Sequence, residues 1–231
     1  MPGHLIRFFS LFLLFFLLSC SGRDKKPVII NEAGKLFMDY QVQAGEGDDN
    51  LTVLVRFRDG AEGDAFLLPP DAEILLDGQL LQADSVKRTG GFYETHLPID
   101  SFQGVHHLVL RQGGKLIHDE AFNFAVMGLE EEPGDSLSRK DLVLKLTGLE
   151  EEDYVRVIAT DTAFYSEGIN RLDTIRNRQL ILAQEDLVQL VNGPVQLILS
   201  REWEKTIEEN GYPIGRISIN YTLRREFILN D

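Results

Sequence analysis

The chain has 231 residues, 43% of them hydrophobic, and 23 Lys and Arg against 37 Asp and Glu give a net charge of -14. That apolar share supports a packed core, while the acidic balance argues against a nucleic-acid partner, whose phosphates need a basic face. With Cys20 as the one cysteine, an internal disulfide is excluded.

Residues Phe8 to Leu18 are apolar apart from Ser10, and the run stops at Ser19, Cys20 and the polar stretch Ser21 to Lys26. A helix crossing a hydrocarbon layer of about 30 Å needs roughly 20 apolar residues, so residues 1–19 read as a secretory signal peptide rather than a span. Leu17-Leu18-Ser19-Cys20 resembles the lipobox of bacterial lipoproteins, in which cleavage follows a small residue and the next residue is a lipidated cysteine. The resemblance implies cleavage between Ser19 and Cys20, acylation of Cys20 and a partnership with the membrane through that anchor. Acylation would also remove a lone thiol from an oxidising compartment, and at about 0.8 kcal/mol per buried CH₂ several acyl chains hold firmly. Residues 20–34 are then the lipidated cysteine and its tether, which carries Arg23, Lys25 and Lys26. In general style the chain resembles lipoproteins of the Bacteroidota. Ser21 after the cysteine is similar to the outer-membrane sorting pattern of other Gram-negative bacteria, which implies an outer-membrane anchor facing the periplasm.

From Lys35 to Val126 the pattern is that of strands. Leu51, Val53, Val55 and Phe57 alternate with Thr52, Leu54, Arg56 and Arg58, the period of a strand with one buried face. Glu73 to Leu76 and Gln79 to Gln82 flank Asp77-Gly78, a pair that accepts positive φ and predicts a hairpin. Phe92 to Leu97 follows Gly90-Gly91 and stops at Pro98; Gly104 to Arg111 and Lys115 to Val126 flank a second hairpin at Gln112-Gly113-Gly114. Short strands at even spacing predict a β-sandwich or barrel. LLDGQLL, GGFYETHL and GVHHLVLRQGGKLIHDEAFNF resemble the immunoglobulin-like modules of bacterial envelope lipoproteins, where a hairpin precedes a tyrosine strand and a GxHxLxL strand. That resemblance implies one such module over residues 35–128 and carries no function.

Leu129 to Ser138, LEEEPGDSLS, is charged, holds Pro and Gly and has no periodicity, so residues 129–138 read as a linker. Strands resume as Asp141 to Leu146, Tyr154 to Thr160, Gln179 to Leu182, Val195 to Arg201 and Arg216 to Arg225. Between them, Leu187, Val188, Leu190 and Val191 stand at helical offsets and predict a short helix over Glu185 to Val191. VQLILSR echoes GVHHLVLR, which makes residues 139–231 a second sandwich. The expected fold is all-β: two tandem immunoglobulin-like β-sandwiches after an N-terminal lipoprotein signal peptide. One sandwich of about 190 residues is the alternative.

If Arg111 pairs with Lys115, His106 faces Glu120 and His118 faces Leu108 on one side of the sheet, so His106, His118 and Glu120 could converge on zinc. The plainer reading is an inward histidine satisfied by a neighbouring carboxylate or backbone group, with no metal and no cofactor. Glu46-Gly47-Asp48-Asp49-Asn50 offers hard oxygens for calcium, although a solvated turn explains it equally. Trp203 and Tyr212 bracket a predicted polar loop, Glu204 to Gly211, and exposed aromatics there would stack on a sugar or anchor a partner chain. Packing of Trp203 and Tyr221 into the core would leave only that loop wet. With no Gly-x-Ser-x-Gly, His-Glu-x-x-His, phosphate-cradling glycine loop or Cys-x-x-Cys, the chain reads as non-catalytic. The expected role is a lipid-anchored envelope protein that binds or scaffolds a protein partner; the alternative is a glycan-binding accessory to carbohydrate uptake.

Overall fold

A computed structural model describes residues 36–86, 90–163 and 166–231, so the predicted signal peptide, Ser19, Cys20 and the tether lie outside the described residues. The first half consists of β1 (Leu36–Gly45), β2 (Asn50–Asp59), β3 (Ala65–Phe66), β4 (Ala72–Leu76), β5 (Gln79–Leu80), β6 (Gln82–Val86), β7 (Gly90–Pro98), β8 (Gly104–Gln112) and β9 (Lys115–Phe124). The second consists of β10 (Gly128–Leu129), β11 (Ser136–Ser138), β12 (Leu142–Thr147), β13 (Tyr154–Thr160), β14 (Ile169–Thr174), β15 (Gln179–Leu182), the one-turn helix α1 (Gln184–Leu187), β16 (Gly193–Glu209) and β17 (Tyr212–Asn230). The all-β expectation holds.

Local sequence explains most of these elements. β2 buries Leu51, Val53, Val55 and Phe57 and half-exposes the residues between them, as its period of two requires. Asp77-Gly78 and Asn210-Gly211 turn with φ of 51° and 82°, and 52° and 78°, the mirror-image turns whose twist matches paired strands.

The largest sheet runs β14-β13-β16-β17-β1-β2-β7-β6, and two smaller sheets run β5-β4-β8-β9 and β10-β12-β15. In the first sandwich Ile74, Leu108, Leu110, Phe122 and Phe124 are buried together with Tyr40, Val42, Val53, Val55 and Phe57. In the second, Leu144, Leu146, Leu180 and Leu182 from the small sheet are buried with Val155, Val157, Leu197 and Leu199. Both sets belong to one buried cluster.

The β16–β17 hairpin joins the two sandwiches. Its strands are 17 and 19 residues long, far beyond the usual five or six. At the base, β13 pairs with β16 from Gln196 to Arg201. Toward the tip, β17 pairs in parallel with β1, from Gly215 opposite Met38 to Thr222 opposite Gly45. One hairpin therefore belongs to the second sandwich at its base and to the first at its tip.

Three expectations need correction. Residues 129–138 are not an unpaired linker, because Gly128 and Leu129 pair with Thr147 and Leu146, and Ser136 to Ser138 pair with Ile228 to Asn230. Edge pairing uses backbone groups and needs few apolar side chains, so composition alone misses it. Glu204 to Gly211 is not a loop: the strand continues to Glu209, and only Asn210 and Gly211 turn. The β8–β9 turn is Gly113-Gly114 rather than three residues, with Gln112 opposite Lys115 and a register shift at Leu110 and Arg111.

At Gly215 β17 lies close against β1, since a Cβ there would stand 2.4 Å from the Met38 carbonyl oxygen. We expect Gly215→Val to lower the free energy of unfolding in urea by about 1–3 kcal/mol through overpacking. An unchanged midpoint and slope would show that the two strands do not press together there.

Candidate functional site

On β8 the strand period turns His106, Leu108 and Leu110 inward. His106 is 7% exposed and sits beneath the Asp77-Gly78 turn, where its Nδ1 lies 2.7 Å from Oδ2 of Asp77. The other oxygen of Asp77 accepts the backbone N–H of His107 at 2.8 Å and the Asp77 N–H donates to the His107 carbonyl at 2.9 Å, so the turn is tied to β8 three times. The imidazole stacks on Phe102 with centroids 3.6 Å apart and planes 3° off parallel. Its Nε2 is buried and has no hydrogen-bond partner among the described residues. The ring also forms part of the wall of a cavity of about 190 Å³, with Leu76, Leu81, Thr95, Leu97 and Phe102 among its neighbours in that wall.

The convergence of His106, His118 and Glu120 that the sequence allowed does not form. The shorter β8–β9 turn and the register shift place His106 opposite Phe122, and Leu110 rather than Leu108 opposite His118. His118 Nε2 does lie 3.4 Å from Glu120, but that carboxylate, buried on the inner face of β9, takes the Lys205 ammonium at 2.8 Å on its other oxygen. Among the described residues no three His, Cys, Asp or Glu side chains are placed to hold a metal ion. The plainer reading of His106 is half met: Asp77 takes Nδ1, and Nε2 is left over.

Two acidic segments, the run before Asn50 and the one read as a linker, each send a carboxylate to one cation. Arg225 Nη2 donates to Glu46 at 2.9 Å and to Glu132 at 2.8 Å, tying the β1–β2 turn and the segment between β10 and β11 to β17. Hydrogen bonds from that guanidinium hold the Glu46 carboxyl below the usual carboxylate range, against the opposing effect of partial burial. Glu46 thus points to an arginine rather than to solvent or a metal ion.

A second ion pair is buried on both sides. Arg201, 3% exposed, is the inward residue of β16 opposite Val155 at the start of β13, and its Nη2 lies 2.9 Å from Asp153. Asp153 also accepts the backbone N–H of Glu150 at 3.0 Å. Neither the pair nor the Arg225 cluster carries a sequence motif; both depend on strands brought together from distant parts of the chain.

Trp203 and Tyr212 do not form one platform. Tyr212 stands opposite Glu209 at the hairpin tip and is 73% exposed, whereas Trp203, six positions back along β16 and roughly 20 Å away at strand rise, packs partly against the core. Tyr221 is buried, 6.4 Å from Phe124 between ring centroids. No helix among the described residues is long and apolar enough to cross a membrane.

No protein-family model matches the chain, and no curated protein matches it. Solved structures similar to it include a cytokine receptor complex, at 12% identity and a TM-score of 0.29, with 71% of this chain and 82% of that one covered. The DIP-gamma IG1+IG2 structure matches at 10% identity and a TM-score of 0.24, covering 85% and 97%. A titin structure matches at 9% identity and a TM-score of 0.24, covering 85% and 98%.

Removing the guanidinium tests the Arg225 cluster. Because the Glu46 carboxyl is depressed in the folded protein, its contribution to stability is present above the ordinary carboxylate pKa and is lost as pH falls through the lowered value. In Arg225→Met we expect the Glu46 carboxyl, followed by carbon NMR through an acid titration, to move up toward an ordinary glutamate. A titration identical to the wild type would refute the pairing.

Proposed function

We propose that this chain is a lipid-anchored cell-envelope protein, non-catalytic, which binds or scaffolds a protein partner through its β-sandwiches. The observation that supports it most is the shared β16–β17 hairpin, which carries one continuous sheet through both sandwiches. A two-module body without a free hinge holds surfaces at fixed separations, which is what a scaffold requires. The strands also present apolar side chains outward: Val143 and Ile181 are directly opposite one another and about half exposed. Anchoring rests on the lipobox resemblance at Ser19 and Cys20, and placement at the outer membrane facing the periplasm on Ser21. The glycan-binding alternative retains Tyr212 as an exposed aromatic but loses the paired platform with Trp203.

The test is Cys20→Ser in the intact gene, followed by fractionation and native electrophoresis of detergent-solubilised envelopes. The proposal expects the wild type in the membrane fraction, migrating in an assembly well above the 26.2 kDa of the chain, and the variant in the soluble fraction. A variant that stays processed and membrane-bound would overturn the anchor, and a wild type that migrates only as a free monomer would overturn the scaffold.

A further inference from the structure

The pairing of β1 with β17 has a direction, and that direction decides how the molecule carries a pull. β1 begins at Leu36, on the side of the tether, and runs toward Gly45; β17 runs the same way and continues to Asn230. Met38 stands opposite Gly215 and Gly45 opposite Thr222, so eight successive residues of β1 face β17 in one register. The chain therefore enters this ladder at one end and leaves it at the other.

A force applied at Leu36 and opposed from the end of β17 acts along the two strands in opposite senses. The evenly spaced hydrogen bonds of a parallel pair are then strained together, and the strands part only by sliding as a whole. The same pull shears the other flank of β1, which pairs with β2 from Leu36 opposite Asp59 to Gln43 opposite Thr52. β17 is the firmer partner, because every residue of β16 from Gly193 to Glu209 pairs with it.

The seam is also dry on its inner face. Met38, Tyr40 and Val42 of β1 and Ile217, Ile219 and Tyr221 of β17 are all buried, so water has little access to compete for the bonds beneath them. On the outer face the buried Asp39 takes the Arg216 guanidinium at 3.0 Å across the two strands. Beyond Gly45 the Glu46 N–H donates to the Thr222 carbonyl at 2.9 Å, and the Glu46 carboxylate takes Arg225. Both ends of the ladder are thus fastened. A pull between Leu36 and the hairpin tip acts differently: Tyr212 lies at the same end as Leu36, and the strands would open from there one pair at a time.

We propose that the β1–β17 ladder is a mechanical clamp, which keeps the body closed under tension between the N-terminal tether and the second sandwich. The source of the load rests on the anchor reading: an acylated Cys20 held in a membrane draws on the chain through Leu36, and a partner held by the second sandwich draws the other way. The clamp itself follows from strand order and register, and acylation does not enter it.

The test is single-molecule force spectroscopy on the exported chain, residues 20–231, prepared without acylation so that the Cys20 thiol is one handle. The second handle is a cysteine added after Asp231 in one version and Tyr212→Cys in another, a change at an exposed side chain. Asp59→Cys, opposite Leu36 on β2, gives a second peeling direction and keeps the comparison should Tyr212→Cys not fold. Forced unfolding is governed by the barrier along the pull, so the first rupture at a given loading rate should need a severalfold higher force with the handle after Asp231 than with either peeling handle. Equal forces in the two directions, or a lower force with the handle after Asp231, would overturn the clamp. The ratio does not depend on membrane attachment, whereas fractionation of Cys20→Ser does, so the clamp and the anchor fail separately.

Discussion

The parallel pairing of β1 with β17 is the constraint on which the rest of the molecule depends. β17 is flanked by β16 on one side and β1 on the other, so its amide and carbonyl groups are satisfied only when both ends of the chain are in place. The partners are far apart in sequence: Asp39 and Arg216, 177 positions apart, meet at 3.0 Å. Closing so long a loop costs entropy before any contact repays it. The return is large, since Met38, Tyr40, Val42, Ile217, Ile219 and Tyr221 are all buried once the strands meet. Without the hairpin tip, the first sandwich would lose the strands beside β1.

Around this pairing the polar groups act as markers of register rather than as a main source of stability. The Arg201–Asp153 pair is buried on both sides, and ion pairs of that kind often gain little over well-packed apolar residues. Their value lies in what they exclude: a one-residue slip of β16 would turn Arg201 to the other face and leave Asp153 buried and alone. Asp39 is similar, at 1% exposure and held by Arg216 and, at 3.7 Å, by Arg58. Arg225 does the same work nearer the surface, where salt screens it more. These groups all lie where strands from different parts of the chain meet.

What was legible in the sequence follows from this division. Strands carrying their own period of two, such as β2 and β13, were readable almost to the residue, as was the Asp-Gly hairpin, while the helix read over Glu185 to Val191 is a single turn, Gln184–Leu187. β16 and β17 were read too short, because their distal halves alternate charged and apolar residues around Trp203 and lose the clean pattern of VQLILSR. Glu204 to Gly211 looked like a loop because its side chains are mostly polar, yet its backbone is paired as far as Glu209. The histidine site failed for a smaller reason: a turn shorter by one residue and a one-residue register shift at Leu110 and Arg111 together decide which side chains face each other across β8 and β9. Asp77 was visible only as a turn residue, and nothing in its spacing points to a histidine 29 positions on. Long-range pairing leaves no local signature, so the junction remained beyond the sequence.

The central claim is that the two sandwiches unfold as one body because they share a sheet. Native-state amide hydrogen exchange tests it most directly, by comparing the opening free energies of the slowest amides at Val53 to Phe57 in the first sandwich and Leu197 to Leu199 in the second. A shared sheet predicts one common value, reached at the same denaturant concentration and lost together. Two separate values, with one core exchanging freely while the other stays protected, would show that each half closes its own core and that β1 and β17 only touch.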